Sequence, residues 1–578
     1  MVIQEKNEPS THFVERESVS SDFVCGFLAE YYRVAITGLP GVGKTELCNQ
    51  IVRKAREVKA YKGIFWLSAT DVSIQSGLVE IARQMKLYNE TDVDVKKLQQ
   101  LVVDELNREE SWLLVLDNVD EVDLIKKLLP EKRGNRHVLI TTRDRDICFA
   151  LSAEQIHLDV MNNIEAKRLL LESFPAYKGE EKLNSDTIEN DAASVLVAEL
   201  GYLPLAIIQG AAYLRATGDK IANYTELYRY SRTFIWNWMP RKEKSYVSIL
   251  ATMLVAFQKI KQEEVSIRLF CLISFFSPNN IPELLFTTDT KFQDAKLRRS
   301  FSGIGTLNNT LKPLLAYAFI KRSKEDSSIS IHKLVQDIMR DILESCEMDT
   351  GGVLDSLEAQ AKESVYWVER AFEALDIAYP NSDPENWRLC ETLNPHASAC
   401  IEHGRKHGIF TQDAFSLTTS LGIYWNSHGS YHSAEDLFFS ALQISDKVFG
   451  VDDINTANTI NNLGSTYDSQ GKYDEAIAHY ERSLRIFEKA FGVDHINTAG
   501  TIMNIGLHHK SQSQAQLAKV WLQRGHKILL TNLGMQHPDT LKAASIIRES
   551  ELKSKTVQSQ QQSKFKPSFK SRLKRFFS

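Results

Sequence analysis

The stretch Arg33–Leu47, RVAITGLPGVGKTEL, decides the fold of this chain. β-branched side chains recur through its first five residues, which predict a buried strand. The residues after the loop predict a helix. Between them Gly38, Gly43, Lys44 and Thr45 match the spacing G-x-x-x-x-G-K-[ST]. Glycines let the backbone turn tightly and point its N–H groups at a phosphate, and the N terminus of the helix attracts the same anion. The stretch therefore predicts a phosphate-binding loop.

The loop residues predict the contacts of a bound nucleotide. Lys44 is expected to neutralise the β- and γ-phosphates, and the Thr45 hydroxyl is expected to hold Mg²⁺. A structural glycine-rich turn is the alternative, which the order of strand, loop and helix disfavours. The predicted nucleotide-contacting residues of the loop are Gly38, Gly41, Val42, Gly43, Lys44, Thr45 and Glu46.

Three further strands follow at intervals that leave room for helices: GIFWLSA (63–69), WLLVLDNVD (112–120) and HVLITTRD (137–144). Asp117 follows five apolar residues, at the end of a strand that would lie beside the loop, and it is predicted to be the second magnesium ligand. Arg143 ends the next strand and is predicted to sense the γ-phosphate. A solvated surface charge is the alternative for Arg143.

Asn118 bears on the rate of hydrolysis. Fast P-loop ATPases place an acidic residue directly after the magnesium-binding aspartate, where it orients or activates the attacking water. An amide at this position cannot take up a proton, so slow turnover is expected. The candidate catalytic residues are Lys44, Asp117 and Arg143.

The order of these motifs resembles the NB-ARC ATPases, which are STAND-type nucleotide switches found in plant resistance proteins and apoptosis scaffolds. Further stretches carry the same resemblance: FVERE (13–17), NNIEAKRLLLESF (162–174), LGYLPLAIIQGAAYL (200–214) and SISIHKLVQDIMR (328–340). The resemblance covers about the first 345 residues. It implies a P-loop domain, a helical domain and a winged-helix domain.

The resemblance also implies contacts with the adenine end of the nucleotide. In the first of these stretches Arg16 matches the family pattern, whereas Glu15 stands where the family has glycine. Pro204 corresponds to the proline that touches adenine.

His332 corresponds to the winged-helix histidine that binds the β-phosphate of ADP in the family, although Ile331 and Lys333 replace the flanking methionine and aspartate. A packed core histidine is the alternative. The resemblance implies that the winged helix closes over ADP, and that exchange for ATP opens it and exposes an oligomerisation surface. Because His332 lies almost 290 residues from Lys44, one nucleotide bound by both would tie two domains together.

The C-terminal half repeats with a period of 42 residues. FGVDDINTANTINNLG, beginning at Phe449, aligns with FGVDHINTAGTIMNIG, beginning at Phe491, and Gly464 aligns with Gly506. Such self-similarity predicts stacked helical hairpins with a concave binding face. The sequence resembles the tetratricopeptide repeats of kinesin light chain. A protein or peptide ligand is therefore expected on the array, and a plain spacer is the alternative.

The last residues, KFKPSFKSRLKRFFS, form a basic tail. Phe569, Leu573, Phe576 and Phe577 share one face of a short helix, which would allow weak contact with an anionic membrane. A disordered solubilising end is the alternative. Specific nucleic-acid binding is not expected.

The composition of the chain predicts its cellular compartment. The chain has 578 residues, a net charge of -5 and seven scattered cysteines, none spaced C-x-x-C. This pattern, with no apolar segment near the N terminus and no apolar stretch long enough to span a bilayer, is typical of a cytoplasmic protein. Because only 12 residues precede FVERE, no N-terminal effector domain is expected.

The predicted fold class is an α/β P-loop nucleotide-binding domain with helical and winged-helix domains, followed by an all-α tetratricopeptide solenoid. The predicted layout is 1–150 for the P-loop domain, 151–235 helical, 236–350 winged helix, 351–409 helical linker or degenerate repeats, 410–552 tetratricopeptide repeats and 553–578 basic tail. The expected cofactors are ATP or ADP with Mg²⁺.

Three functions are compatible with this layout. The first is a slow ATP/ADP switch that forms a homo-oligomer in the ATP state and whose repeats sense a ligand. The second is a repeat scaffold or adaptor in which the nucleotide is structural. The third is a hydrolytic P-loop ATPase.

Overall fold

The computed structural model describes residues 13–69, 71–87, 95–172, 187–238, 242–286, 292–323, 326–344 and 357–549. The chain divides into two compact units, Met1–Ile409 and Phe410–Ser578. The predicted basic tail lies outside the described residues. Within the described ranges, no helix has both the length and the apolar character needed to cross a bilayer.

The first unit contains a five-stranded parallel sheet with the strand order β2-β3-β4-β1-β5. Its strands are β1 (Arg33–Thr37), β2 (Gly63–Ser68), β3 (Ser111–Asp117), β4 (Asn135–Thr142) and β5 (Glu154–His157). The four predicted strands are confirmed. The fifth was not predicted, and because it pairs with β1 it extends the sheet beyond the expected domain boundary at residue 150.

Helices cover both faces of this sheet, because its strands are apolar on both sides. Alternate residues face opposite cores: Ala35, Leu114 and Ile140 lie in one, and Val34, Leu113 and Leu139 in the other. The helices of this layer are α1 (Ser21–Glu30), α2 (Lys44–Glu57), α3 (Asp71–Gln84), α4 (Val95–Arg108), α5 (Val122–Lys126) and α6 (Asp146–Ala150).

The described residues that follow the sheet in the chain form the helices α7 (Asn163–Glu172), α8 (Thr187–Glu199), α9 (Pro204–Thr217) and α10 (Ile221–Trp238). A capping box begins α7, since the Asn162 side chain accepts from the Glu165 N–H at 2.8 Å and the Glu165 carboxylate accepts from the Asn162 N–H at 2.9 Å. The second oxygen of Glu165 accepts from the Glu17 N–H at 2.8 Å. This cap therefore attaches the segment around residues 13–17 to α7.

The region predicted as a winged helix combines helices with a small antiparallel sheet of order β6-β8-β7. Its elements are α11 (Lys244–Ile260), α12 (Glu264–Ile273), β6 (Ile281–Pro282), a 3₁₀ turn (Glu283–Phe286), α13 (Ala295–Ser300), α14 (Ile304–Ala316), β7 (Ile320–Ser323), β8 (Ser328–Ile331) and α15 (Lys333–Glu344).

In the described part of the first unit after residue 356, the α-helices are α16 (Ser364–Ala378) and α17 (Trp387–His407). Near its start α17 contacts the nucleotide-domain helix α3 through the ion pair between Glu391 and Arg83. Farther along, the Nε2 atom of His396 lies 3.1 Å from the carbonyl oxygen of Asn280, and the ring of His403 packs edge-on against Phe275. Helix α17 therefore bridges the P-loop layer and the predicted winged-helix region.

Up to residue 549, the second unit is built of helical hairpins followed by a helix over residues 538–549. The hairpins are α18 (Gln412–Ser427) with α19 (Tyr431–Val448), α20 (Ile454–Gln470) with α21 (Tyr473–Phe491), and α22 (Ile496–Ser511) with α23 (Ala515–Leu533). Each hairpin has a glycine on its first helix that faces a large side chain on its second. The pairs are Gly422 with Phe438, Gly464 with Tyr480, and Gly506 with Leu522. All three recur at the sequence period of 42.

Replacing Gly464 with alanine is expected to destabilise the array by about 1–3 kcal/mol, because the new methyl group would lie 2.8 Å from the Tyr480 ring. Gly500, on the neighbouring helix α22, is the matched control. A methyl group there meets nothing within 4 Å, so alanine should stabilise the helix by about 0.5–1 kcal/mol. Hydrogen exchange of peptides from α20–α22 in the full chain measures both, and equal shifts would contradict the close approach.

Candidate nucleotide-binding site

The loop between β1 and α2 has a backbone that requires glycine. Gly38 and Gly43 have φ angles of 155° and 100°, and a side chain on Gly38 would collide with the carbonyl oxygen of Leu158. Gly43 is the N-cap of α2, so the first N–H groups of that helix have no partner within the helix and point into the loop. The sequence-predicted strand, loop and helix are therefore present in the geometry that binds a phosphate.

Lys44 lies along the inside of this loop. Its Nζ atom donates to the carbonyl oxygens of Gly38 and Leu39 at 2.8 and 3.1 Å. Burial and the neighbouring Arg143 charge lower the pKa of Lys44 to about 8. The ammonium group therefore stays mostly charged at neutral pH, and its closest partners are neutral carbonyls.

Thr45 and Asp117, the two predicted magnesium ligands, lie next to each other. The Thr45 hydroxyl donates to Oδ1 of Asp117 at 2.9 Å, and the Thr141 hydroxyl donates to the same oxygen at 2.6 Å. Burial raises the pKa of Asp117, whereas these hydrogen bonds lower it. One hydroxyl and one buried carboxylate beside a phosphate loop form a donor set that fits Mg²⁺. Thr141, which sequence reasoning did not assign, orients the carboxylate.

Arg143 follows the last residue of β4 and is exposed. It lines a cavity of about 270 Å³ together with Gly38, His157 and Glu243. It also lines a larger cavity of about 640 Å³, whose walls include Pro40, Leu334 and His403. Arg143 therefore lies at the junction of the phosphate loop, α15 and α17.

Arg16, the predicted contact from the FVERE stretch, and its neighbour Glu15, which departs from the family pattern, have different partners. The Arg16 guanidinium is buried and donates to the carbonyl oxygens of Val42, in the loop, and Asp159. Burial lowers the pKa of Arg16. Glu15, in contrast, accepts from the Ser21 N–H at 2.7 Å, away from the loop. Arg16 therefore braces the backbone of the phosphate loop.

Pro204 begins helix α9, and its neighbour Leu205 lies against the loop. The Leu205 N–H donates to the Gly41 carbonyl at 3.4 Å. A Cβ atom added to Gly41 would lie 3.3 Å from the Leu205 Cβ, so the two segments are in close contact. Glu46, the last predicted loop contact, lies in the first turn of α2, where it accepts from Gln50 at 3.4 Å.

His332 lies at the N terminus of α15, where its Nδ1 atom accepts from the Leu334 N–H at 3.1 Å. In this arrangement the neutral imidazole carries its proton on Nε2. The surrounding protein and the charges of Lys321, Arg143 and Lys44 lower the pKa of His332 to about 4. The residue as a whole is exposed. The chain therefore brings His332 into the electrostatic range of the loop lysine.

An ion pair joins the same two regions. Lys333 Nζ lies 3.3 Å from Asp120, which follows β3, and the Asn118 amide donates to the same carboxylate at 3.3 Å. The Asn118 N–H also donates to the Thr141 hydroxyl at 2.7 Å. Sequence reasoning noted Lys333 only as a departure from the family pattern. Its opposite charge to Asp120 was the available signal, but the two residues lie 213 positions apart.

Comparisons with known proteins agree with this geometry. Residues 22–175 match the family described as NB-ARC domain. The chain carries an NB-ARC domain. Downstream of the NB-ARC domain, residues 255–348 match a family described as a domain of unknown function (DUF7779), and residues 421–489 and 469–531 match the tetratricopeptide repeat. The predicted resemblance and the predicted fold class, a parallel α/β sheet followed by a helical repeat region, are confirmed.

Relatives share parts of this architecture. A nucleotide-binding leucine-rich repeat (NLR)-like protein of Hyaloscypha variabilis is 29% identical over 471 residues, which are 75% of this chain and 43% of that protein. The ToMV resistant protein Tm-2 netted virescent of Solanum lycopersicum is 26% identical over 196 residues, which are 32% of this chain and 22% of that protein. This chain therefore spans less than half the length of these relatives.

A solved structure also aligns along most of the chain. It is a Signal Transduction ATPase with Numerous Domains (STAND) protein with a tetratricopeptide repeat sensor from Pyrococcus horikoshii. The alignment covers 94% of this chain and 87% of that chain, with 14% identity and a TM-score of 0.33.

Proposed function

We propose that this protein is a nucleotide-dependent signalling switch. The NB-ARC domain would hold ADP between the phosphate loop and His332, and exchange for ATP would release the predicted winged helix and allow homo-oligomerisation. The repeats would sense a protein or peptide ligand. The observation that carries the proposal is that the segment of His332 meets the phosphate loop, although nearly 290 residues separate His332 from Lys44. Lys333 pairs with Asp120 at 3.3 Å, and Leu334 lines one cavity with Pro40 and Arg143.

The roles of the loop residues follow from their contacts. Lys44 would exchange its carbonyl partners for phosphate oxygens, which form stronger, charge-assisted hydrogen bonds. Thr45 and Asp117 would hold Mg²⁺, which would neutralise phosphate charge when bound. Arg16 would keep the loop backbone in place, and Pro204 would lie at the adenine.

His332 would read the β-phosphate. Its Nδ1 atom already accepts from Leu334, and Nε2–H has no acceptor among the described residues, so this group can donate to a phosphate oxygen. A ligand shifts a conformational equilibrium only by its different affinity for the two states. The contact with His332 exists only while the two regions are closed, and it would therefore favour the closed state in the presence of ADP.

Replacing His332 with alanine is expected to speed ADP release about tenfold, the effect of losing one hydrogen bond to a charged group. His332→Asn is the matched variant, because asparagine still caps α15 but does not reach the phosphate. Both variants should release a fluorescent ADP analogue faster in stopped flow, and only the alanine variant should loosen α15 in hydrogen exchange. An unchanged release rate in both would remove His332 from the site.

Hydrolysis is expected to be slow, below about 1 per second, at the lower edge of ordinary enzyme turnover. The reason is Asn118, whose side chain cannot accept the proton of the attacking water and instead donates to Asp120. Steady-state phosphate release measures the rate, and the Asp117→Asn variant supplies the background. A turnover of tens per second would favour a hydrolytic ATPase instead.

A further inference from the structure

The inner face of the repeat array is almost free of charge. The first helices of the hairpins, α18, α20 and α22, contain only three charged residues, Asp413, Asp468 and Lys510. The second helices, α19, α21 and α23, contain fourteen. Successive first helices contact one another, α18 with α20 and α20 with α22, and approach more closely than successive second helices do in the described array. The first helices therefore form the concave wall.

Four rows of side chains cross this wall at the period of 42 residues. All their members are half-buried or exposed, and none is charged. The rows are Ser416, Asn458 and Gly500; Ser420, Asn462 and Asn504; Ile423, Ser465 and Leu507; and Ser427, Ser469 and Ser511. Three rows thus offer amides and hydroxyls, except at Gly500, and the remaining row offers apolar contact at Ile423 and Leu507 and a hydroxyl at Ser465.

The few charges of the first helices are engaged elsewhere or lie at the edge. The Asp468 carboxylate lies 3.0 Å from Nδ1 of the buried His508, and Lys510 lies 3.7 Å from Glu549. Asp413 lies in the first turn of α18. No charged group of these helices therefore stands in the four rows.

Some side-chain amides of this wall have donors and acceptors that are not used within the described residues. Asn504 donates to Asn461 at 3.2 Å, which links α22 to α20. The side-chain amides of Asn458 and Asn462 have no hydrogen-bond partner among the described residues. Each carries two donors and one acceptor oxygen, the complement of a peptide group. One turn of α20 separates them, so they present these groups on the same face.

We infer that this wall binds an extended peptide segment without charged side chains. Asn458 and Asn462 bind its backbone, and Ile423 and Leu507 contact its apolar side chains. A charged side chain on the peptide would lose its hydration without gaining an opposite charge, which is costly. The inference names the partner class of the sensor in the function proposed above and rests on that proposal for its biological role.

Selection of short random peptides displayed on phage, against the immobilised full chain, tests this inference. Enriched peptides should lack Asp, Glu, Lys and Arg at their central positions. Their dissociation constants, measured by fluorescence polarisation, should change less than about twofold between about 0.05 and 0.5 M salt, because no charge pair is screened. Enrichment of acidic or basic peptides, or an empty selection, would overturn the inference.

Variants locate the contact. Asn458→Ala combined with Asn462→Ala should weaken an enriched peptide at least about tenfold, the effect of losing two hydrogen bonds. The matched control is Gln443→Ala with Gln523→Ala, which removes exposed amides from the second helices and should have no effect. Asn462→Lys should shift the selection toward acidic peptides. Equal binding by the double asparagine variant would place the peptide elsewhere.

The selection is independent of nucleotide exchange. A failure of the His332 experiment would therefore leave the peptide result standing, with the array acting as a scaffold. A charged or empty selection would leave the ADP result standing and would refute only the chemistry of the groove.

Discussion

Replacing Lys44 with alanine is expected to weaken ADP binding at least about 100-fold, a loss of about 2.7 kcal/mol or more. The residue is the cation that lies inside the phosphate loop, and its Nζ atom is held there by the Gly38 and Leu39 carbonyls. Without it, the phosphate would lose its charge-assisted hydrogen bonds to the Lys44 ammonium. Isothermal titration of the full chain with ADP measures the loss directly.

Lys54 provides the matched control for this prediction. It lies on the same helix, α2, but its Nζ atom pairs with Asp22 at 2.9 Å, away from the loop. Lys54→Ala should therefore keep both ADP affinity and the rise in unfolding temperature that ADP produces. A non-hydrolysable ATP analogue should increase the mass of the wild type and of Lys54→Ala in light scattering, but not that of Lys44→Ala. A mass that ignores nucleotide in all three would favour the scaffold.

Replacing Asp294 with asparagine is expected to destabilise the first unit by about 3 kcal/mol or more. Asp294 is buried against Arg268, with Nη1 and Oδ2 separated by 2.5 Å, and it also accepts from the Tyr366 hydroxyl at 2.9 Å. Asparagine can still cap α13, as Asp294 does through the N–H groups of Lys296 and Leu297. The change therefore removes the negative charge while keeping the cap. The guanidinium of Arg268 then loses its nearest carboxylate.

Hydrogen exchange of peptides from residues 264–300 in the full chain measures this effect without interference from the repeats. Combining Asp294→Asn with Arg268→Met should recover most of the stability, because the buried guanidinium, which would otherwise keep only Glu264 at 2.8 Å and Glu358 at 3.6 Å, is then gone. Arg108→Gln is the surface control, since its partner Glu105 lies on the same exposed helix face. A loss in the double variant as large as in the single one would show that the charge pair is not the cause.

The sequence predicted those parts of the fold that a local pattern encodes. Strands β1 to β4 were predicted because each is a nearly continuous apolar run buried on both faces. Strand β5 was missed because Ile156 is the only apolar residue among its four. It joins the sheet through backbone pairing with β1, and no local pattern records such a partner.

The residues of the candidate site also divide into those that a local pattern encodes and those that depend on distant segments. Gly38, Lys44, Thr45 and Asp117 could be predicted because a short motif or a strand end fixes their positions. The family resemblance supplied His332, but its cap on α15 and its lowered pKa depend on neighbours from other segments. The wall of the repeat array could not be assigned before the structure showed which helices contact one another.

The contact between a glycine and a large side chain in each repeat hairpin has a consequence for how such proteins diversify. Each hairpin contains its own contact between a glycine on one helix and a large side chain on the next. These contacts recur every 42 residues. Unequal recombination that adds or removes a whole period preserves every such contact, whereas a change of any other length inside a hairpin disrupts one. Relatives of this chain should therefore differ in reach by whole repeats, and with each gained repeat the charge-free wall would lengthen by one set of rows.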